Sequence, residues 1–241
     1  MLTPSDFFDL SRTMHIAAFE NAVFCWEPLM TLGDYVLRCL SQDFQPGIHP
    51  DAVVHPSAVI NESQVYIGAG AVVMPQAYIE GPAIISGGAT VGQAAYVRAD
   101  VVLSPGAVLG HASEAKNALF LEYAHAPHFA YVGDSILGAR VNLGAGTKLS
   151  NLAMNSEKDP ETGKRPTILI QVQDAVYDTG LAKFGAVIGD DAQTGCNTVT
   201  NPGTLIGART LVYAMAAVRK GYYPPDSVLK VRQMQEVVER Q

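Results

Sequence analysis

A six-residue repeat of apolar positions dominates this chain. From Ile48 to Leu121 an aliphatic or small residue returns every six positions, with a single seven-residue step. A second set of small residues, mostly Ala, follows four positions after each of them. A period of six fits neither the 3.6-residue period of a helix nor the two-residue alternation of a strand. Hexad repeats indicate a parallel β-helix, in which three hexads form one triangular coil with the branched side chains inside.

The same phase returns later in the chain and sets the length of the β-helix. It reappears at Leu137, Leu143 and Leu149, and again from Ile188 to Val218. With roughly 18 residues per coil we expect about seven or eight coils, and neighbouring coils lie about 4.8 Å apart. The predicted fold class is therefore all-β, a parallel β-helix over residues 47–232. It ends in a short strand within residues 227–232, and residues 233–241 form a tail.

Two segments lie outside the repeat. Residues 1–46 are predicted to form a helical N-terminal cap over the first coil or a neighbouring subunit, with a helix that begins at Thr31 and Asp34 as a capping box. The apolar face of that helix consists of Leu32, Val36, Cys39 and Leu40. A polar insertion at about residues 152–183 interrupts the hexads and includes a predicted strand at residues 167–172. A β-helix expels such insertions as loops, often on its binding side.

Composition narrows the function classes. The 241 residues are 48% hydrophobic with a net charge of -7, which describes a soluble globular chain and argues against a nucleic-acid partner. The sequence contains neither a signal peptide nor an apolar run long enough to span a membrane. The widely spaced Cys25, Cys39 and Cys196 form no disulfide or zinc pattern. A cytoplasmic location is the expectation that follows.

Titratable and amide side chains concentrate between residues 95 and 151, in an otherwise apolar repeat. They are Arg98, Glu114, Lys116, His128, Tyr131, Asn142 and Asn151. Side chains separated by the length of one coil are expected to stack within a few ångströms of one another. Arg98 and Lys116 are separated by three hexads, the length of one regular coil. We therefore expect them to form one cationic edge that suits a phosphate.

This region resembles the acetyltransferase domain of the bifunctional N-acetylglucosamine-1-phosphate uridyltransferase family of hexapeptide-repeat acyltransferases. The motifs that carry the resemblance are AYVR at residues 95–98, GHASEAK at 110–116, HFAYVGD at 128–134, VNLGAGT at 141–147, and Asn151. Residues 178–198 are similar to the archaeal sugar-phosphate nucleotidylyltransferase branch. Over residues 48–232 the resemblance implies a left-handed β-helix, a homotrimer with its ligand cleft between prisms, and acetyl-CoA as co-substrate.

The resemblance also implies roles for the matched residues. It makes His128 the general base, which takes a proton from the sugar amine as the amine attacks the thioester; a neutral imidazole suits this task near pH 7. Glu114 would orient the amine or His128, and Asn151 would steady the developing oxyanion. The matched substrate ligands are Arg98, Lys116, Tyr131, Asn142 and Lys158. The matched coenzyme contacts are Cys196, Ala214 and Arg232, and the resemblance implies no metal.

The leading hypothesis is an acetyl-CoA-dependent N-acetyltransferase acting on an amino-sugar phosphate, with glucosamine 1-phosphate as the expected acceptor. The first 46 residues are too few for the family's uridyltransferase half, so nucleotidyl transfer is not predicted. One alternative is a non-catalytic trimeric scaffold, or a partner of a separate nucleotidyltransferase. Another is a zinc enzyme similar to the γ-class carbonic anhydrases, with His111, His125 and His128 as the metal ligands.

Overall fold

The computed structural model describes residues 2–232, most of which wind into one stack of triangular coils. Before the insertion the strands are β1 (Gly47–Ile48), β2 (Val53–Val54), β3 (Val59–Ile60), β4 (Val65–Ile67), β5 (Val72–Val73), β6 (Tyr78–Ile79), β7 (Ala83–Ile85), β8 (Thr90–Val91), β9 (Tyr96–Val97), β10 (Val101–Leu103), β11 (Val108–His111), β12 (Glu114–Phe120), β13 (His125–His128), β14 (Tyr131–Leu137), β15 (Asn142–Leu143) and β16 (Lys148–Leu149). From the insertion onward they are β17 (Leu169–Val172), β18 (Ala175–Asp178), β19 (Ala186–Ile188), β20 (Gln193–Thr194), β21 (Val199–Thr200), β22 (Thr204–Ile206), β23 (Leu211–Val212), β24 (Ala217–Val218), β25 (Gly221–Tyr223) and β26 (Val228–Leu229).

These strands form three flat faces of parallel strands. Face A stacks β1, β4, β7, β10, β19, β22 and β25 with the C-terminal halves of β12 and β14. Face B is the 9-stranded sheet from β2 to β26, so the stack is longer than the sequence pattern predicted. Face C stacks β3, β6, β9, β16, β21 and β24 with the N-terminal halves of β12 and β14. The predicted fold class, a left-handed parallel β-helix of hexapeptide coils with a helical N-terminal cap, is confirmed.

The hexad side chains fill the interior as predicted. The inner core cluster contains the branched residues Ile67, Val73 and Ile79 and the small residues Ala71 and Ala77, all of them buried. Burial of one branched side chain contributes about 1.5–3 kcal/mol, so the repeat itself supplies the main stabilisation of the prism.

One predicted interior position is wrong by a single residue. Phe120, and not Leu121, stands level with Leu103 across the coil. The coil between them is one residue shorter than three hexads, and this shift moves Leu121 out of the inner core and into the cluster beneath the N-terminal segment.

The N-terminal segment covers face A, and not the open end of the prism. It contains three 3-10 helices (Pro4–Asp6, Leu10–Arg12 and Ile16–Phe19) followed by the helix α1 (Pro28–Gln42). The predicted apolar face of α1 is buried, and it packs in one cluster with outward side chains of face A such as Ile84, Val102 and Leu119. The expected position over the first coil is therefore wrong.

Helix α1 begins earlier than the sequence pattern predicted. Its first residue is Pro28, and Thr31 and Asp34 lie inside the first two turns. Proline suits the first helical position because its φ is fixed near the helical value and the N–H that it lacks would have no partner there.

His15 joins this segment to face A. Its ring is wholly buried, with Nδ1 2.8 Å from the Tyr35 hydroxyl and Nε2 3.3 Å from the Ser86 hydroxyl. Burial lowers the pKa of His15 to about 4. The ring is therefore neutral near pH 7, with one nitrogen that donates and one that accepts.

The insertion carries its own small sheet. Strands β17 and β18 pair antiparallel, and β17 lies within the predicted strand at residues 167–172. At the C-terminus β26 lies within the predicted last strand, whereas the predicted tail at residues 233–241 falls outside the described residues. In the part of the chain that the structure describes, every helix is too short or too polar to cross a bilayer.

Candidate active site

Polar side chains of successive coils stack where face C turns into face A. Asp100, Asn117 and Asp134 occupy equivalent positions on three successive coils. Their φ angles are 64°, 44° and 46°, a left-handed conformation that Asp and Asn adopt more readily than most residues. This corner geometry aligns their side chains along the prism. We call the group formed by these three residues with Arg98, Glu114, Lys116, Tyr131 and Asn151 the polar corner.

Asp134 is the centre of the polar corner. Its side chain is 6% exposed, and it accepts hydrogen bonds from the amides of Asn117 (3.0 Å) and Asn151. The ammonium of Lys116 lies 3.5 Å from the same carboxylate. A buried carboxylate is tolerated only with such partners, so this network fixes the positions of Lys116 and Asn151.

Arg98 forms the second ion pair of the polar corner. Its guanidinium donates to the Glu114 carboxylate at 3.0 Å, and this hydrogen bond raises the pKa of Arg98. Arg98 and Lys116 are therefore each paired with a different carboxylate. The two cations lie at equivalent positions on neighbouring strands, as expected, because Val97 is level with Ala115, and each of them also has a carboxylate partner.

Tyr131 stands beside these pairs on the outer side of face C. It is level with Glu114 on one neighbouring strand and with Lys148 on the other. Its hydroxyl lies against the side-chain amide of Asn151, and burial raises the pKa of Tyr131. The tyrosine thus remains neutral near pH 7 and can exchange hydrogen bonds with a sugar hydroxyl.

His128 lies on a different edge, where face B turns into face C. It ends β13, its side chain is exposed, and it is level with His111 of the preceding coil. An exposed imidazole at this position is free to meet a ligand or a neighbouring subunit. We call this line of residues the histidine edge.

The predicted coenzyme contacts lie on the same edge. Backbone hydrogen bonds stack the successive coils: Gly146 N–H to the His128 carbonyl, Asn197 N–H to the Ala145 carbonyl, and Met215 N–H to the Cys196 carbonyl. Cys196 is therefore two coils from His128, about 10 Å along the prism, and Ala214 is level with the next coil. Arg232 follows β26 on the final coil, three residues after Leu229, which is level with Val212.

A single protomer does not join the histidine edge to the polar corner. Within residues 2–232 no recorded hydrogen bond or ion pair links the His128 side chain to Arg98, Glu114 or Lys116. His111, which is level with His128, precedes Glu114 by three residues and Lys116 by five, so the two groups follow one another along the chain at the start of β12.

The other two predicted substrate ligands are not part of the polar corner. Asn142 is exposed on face B, level with His125. Lys158 lies in the insertion, where it lines a cleft. Neither side chain is recorded in a hydrogen bond with the polar corner within the described chain.

The zinc alternative finds no support in this arrangement. Across residues 2–232 no group of three His, Cys, Asp or Glu side chains is arranged to hold a metal ion. His111 and His128 are level with each other, but His125 lies at the other end of β13.

The sequence patterns missed the importance of Asp134 and Asn117. A signal was present, because Asp100, Asn117, Asp134 and Asn151 recur at one constant interval, the length of a short coil. Short polar residues at the coil interval mark a corner where the backbone takes a positive φ.

Curated relatives match part of the chain. A bifunctional sugar-1-phosphate nucleotidylyltransferase/acetyltransferase from Sulfurisphaera tokodaii is 34% identical over 107 residues, which are 44% of this chain and 24% of that protein. A bifunctional protein GlmU from Methanococcus maripaludis is 37% identical over 102 residues, or 42% of this chain and 22% of that protein. The chain thus spans about a quarter of the length of these relatives.

Solved structures give a weaker comparison. The acetyltransferase domain of PglB from Neisseria gonorrhoeae is 18% identical, with 78% of this chain and 58% of that chain covered, at a TM-score of 0.27, an overlap too low to carry an argument. No family model matches the chain. Over the matched segment the curated relatives nevertheless confirm the resemblance seen in the sequence: the chain is similar there to proteins named as a bifunctional sugar-1-phosphate nucleotidylyltransferase/acetyltransferase and as bifunctional GlmU.

Proposed function

We propose that the chain is an acetyl-CoA-dependent N-acetyltransferase acting on an amino-sugar phosphate, with glucosamine 1-phosphate as its acceptor. The observation that carries the proposal is the match, at 34% and 37% identity, to proteins named for sugar-1-phosphate nucleotidyl transfer and acetyl transfer. The two ion pairs of the polar corner and the exposed histidine agree with it. They supply sugar-binding groups and a base.

His128 is the general base of the proposed reaction. The neutral imidazole takes a proton from the amine as the amine nitrogen attacks the thioester carbonyl carbon. The tetrahedral intermediate then collapses, the C–S bond breaks, and coenzyme A leaves as a thiolate that takes up the proton. A positioned general base contributes about 10²–10⁴-fold to such a step.

The polar corner binds the acceptor. The Arg98–Glu114 and Lys116–Asp134 pairs offer donors and acceptors side by side, as a sugar's hydroxyls require. Glu114 also lies in reach of the acceptor amine in this proposal. Asn151 donates one amide N–H to Asp134 and lies against the Tyr131 hydroxyl, so in this proposal it contacts the developing oxyanion once the acceptor displaces Tyr131 from its amide.

A homotrimer brings the two groups together in this proposal. Face A is covered by the chain's own N-terminal segment, whereas faces B and C expose apolar side chains that a neighbouring prism would bury. Their exposed fractions range from 37% to 64%, and the residues are Val53, Val59, Tyr78, Val199, Leu211 and Val228. The histidine edge of one protomer would then face the polar corner of the next.

The cytoplasmic location stays a prediction.

Acetyl transfer to different acceptors tests the proposal. Thiol release from acetyl-CoA is expected with glucosamine 1-phosphate, at a kcat/KM at least about tenfold above that with unphosphorylated glucosamine, because charge-assisted contacts to a phosphate are each worth about 1.4 kcal/mol or more. Galactosamine 1-phosphate measures the selectivity at the 4-hydroxyl. Absence of turnover with every amino-sugar phosphate would refute the proposed function.

A further inference from the structure

A cleft beneath the insertion concentrates positive charge. It has a volume of about 640 Å³, which lies in the range of small-molecule sites. Its lining includes Lys158, Lys164, Arg165 and Lys183, and within the described chain no carboxylate side chain is among the lining residues. The whole chain carries a net charge of -7. A local group of four cations in an acidic protein attracts and holds an anion.

The cleft differs in this respect from the polar corner. There Glu114 and Asp134 already pair with the two cations, and Asp100 adds a third carboxylate close enough to Lys116 to interact with it. In the cleft, by contrast, none of the four cations is recorded in an ion pair within residues 2–232. Unpaired cations gain more from an anion than neutralised ones do, because no existing partner is displaced.

Carboxylates near the cleft are engaged with the backbone of the insertion. Asp159 accepts hydrogen bonds from the N–H groups of Glu161 (3.0 Å) and Thr162 (2.7 Å). Asp178 accepts from the N–H of Gly180 at 2.9 Å. These hydrogen bonds lower the pKa of both aspartates. The two carboxylates shape the loop, and neither is among the residues that line the cleft.

Arg165 is held in place before any ligand arrives. Its guanidinium donates to the Ser156 carbonyl, and Ser156 is itself buried with its hydroxyl bonded to the Ala153 carbonyl at 2.7 Å. The guanidinium has five N–H donors, so this contact leaves donors for a ligand. A preorganised arginine binds an anion with a smaller loss of side-chain entropy.

The cleft also adjoins the polar corner. Leu152, which lines the cleft, directly follows Asn151. On the other side Lys183 precedes Phe184, whose N–H donates to the Asn151 carbonyl at 2.9 Å. A ligand that occupies the polar corner can therefore extend into the cleft.

We propose that this cleft binds a diphosphate group. Four cations exceed the charge of one phosphate monoester, and a diphosphate offers more acceptor oxygens, spread over two phosphoryl groups, than a monoester does. Two ligands supply that chemistry: a nucleoside diphosphate that carries the amino sugar, or the diphosphate of coenzyme A. The identity of these two ligands rests on the function proposed above. The binding of a diphosphate in the cleft does not rest on it, because anion binding does not require catalysis.

Calorimetric titration of pyrophosphate into the 241-residue chain tests the proposal. Replacement of two exposed lysines, Lys164→Gln with Lys183→Gln, is expected to weaken binding at least tenfold, since each charge-assisted contact is worth about tenfold in affinity. Lys220→Gln, an exposed lysine elsewhere, is the matched control and is expected to bind as the unaltered chain does. Should the double variant not fold, Lys164→Gln alone makes the same comparison.

Three outcomes would overturn the proposal. The first is that pyrophosphate fails to bind the unaltered chain. The second is that the double variant binds pyrophosphate as tightly as the unaltered chain does. The third is that Arg98→Gln abolishes binding while the double variant retains it. Titrations with UDP and with coenzyme A then identify the source. If the double variant binds UDP more weakly than the unaltered chain does but binds coenzyme A equally well, the cleft is assigned to a nucleotide-linked acceptor. If the double variant binds coenzyme A more weakly, the cleft is assigned to the coenzyme. Because turnover is not measured, these results stand apart from the acetyl-transfer assay.

Discussion

His128→Ala is expected to lower kcat/KM for acetyl transfer by about 10²–10⁴-fold, the usual contribution of a general base. The side chain is exposed at the end of β13, so its removal leaves the stability nearly unchanged. The KM for glucosamine 1-phosphate is expected to stay within a factor of about two, because the polar corner binds the acceptor through other residues. Thiol-release kinetics across a range of pH measure both effects.

His55→Ala provides the matched control for that experiment. His55 is likewise exposed, and it follows β2 on face B, four coils or about 19 Å below the level of His128. This variant is expected to keep the full rate. Activity of His128→Ala within about threefold of the unaltered chain would remove His128 from the mechanism.

Gly110→Ala is expected to destabilise the protein by about 3 kcal/mol or more. An added Cβ at this position would overlap the backbone of Pro127 on the next coil, including its carbonyl oxygen. The two strands are held in register on either side, by Leu109 level with Ala126 and His111 level with His128, so the backbones cannot separate locally. The shift of the denaturant midpoint measures the loss.

Gly88→Ala separates steric overlap from backbone strain. Gly88 has a φ of +69°, and a Cβ there would meet nothing within 4 Å. This variant is expected to cost only about 1–2 kcal/mol, the penalty of a left-handed conformation for a residue with a Cβ. Equal losses for the two variants would contradict the close approach of the coils at Gly110.

The fold could be predicted from the sequence because a triangular coil is the one arrangement that buries apolar side chains spaced six residues apart. The position of the N-terminal segment was harder to predict. The amphipathic pattern of α1 shows that one side of the helix is buried, but it does not show which face of the β-helix covers that side. A signal lies in the strands of face A, which are apolar at three successive positions, as in Ala83–Ile85 and Val101–Leu103. Such runs indicate strands buried on both sides, and they mark the face that another element covers.

The site was predicted less completely, because its ion pairs depend on the length of single coils. Arg98 and Lys116 follow level residues of neighbouring strands, Val97 and Ala115, as their separation by three hexads predicted. The next coil is one residue shorter and places Asp134 against Lys116, which the hexads did not predict. Where small or apolar residues follow one another, two neighbouring registers fit the hexad pattern equally well. The pattern therefore does not show whether a coil is one residue shorter. The pairing of each cation could therefore be found only from the structure.

A catalytic centre shared between subunits is tested most directly by mixing two inactive variants. His128→Ala and Arg98→Gln chains are combined by joint refolding or coexpression, and acetyl transfer is measured. If His128 of one chain acts with the polar corner of another, random trimers regain about a quarter of the unaltered activity, because each site needs one intact edge and one intact corner. If both residues act within one chain, the mixture stays as inactive as its parts, and the shared centre is contradicted.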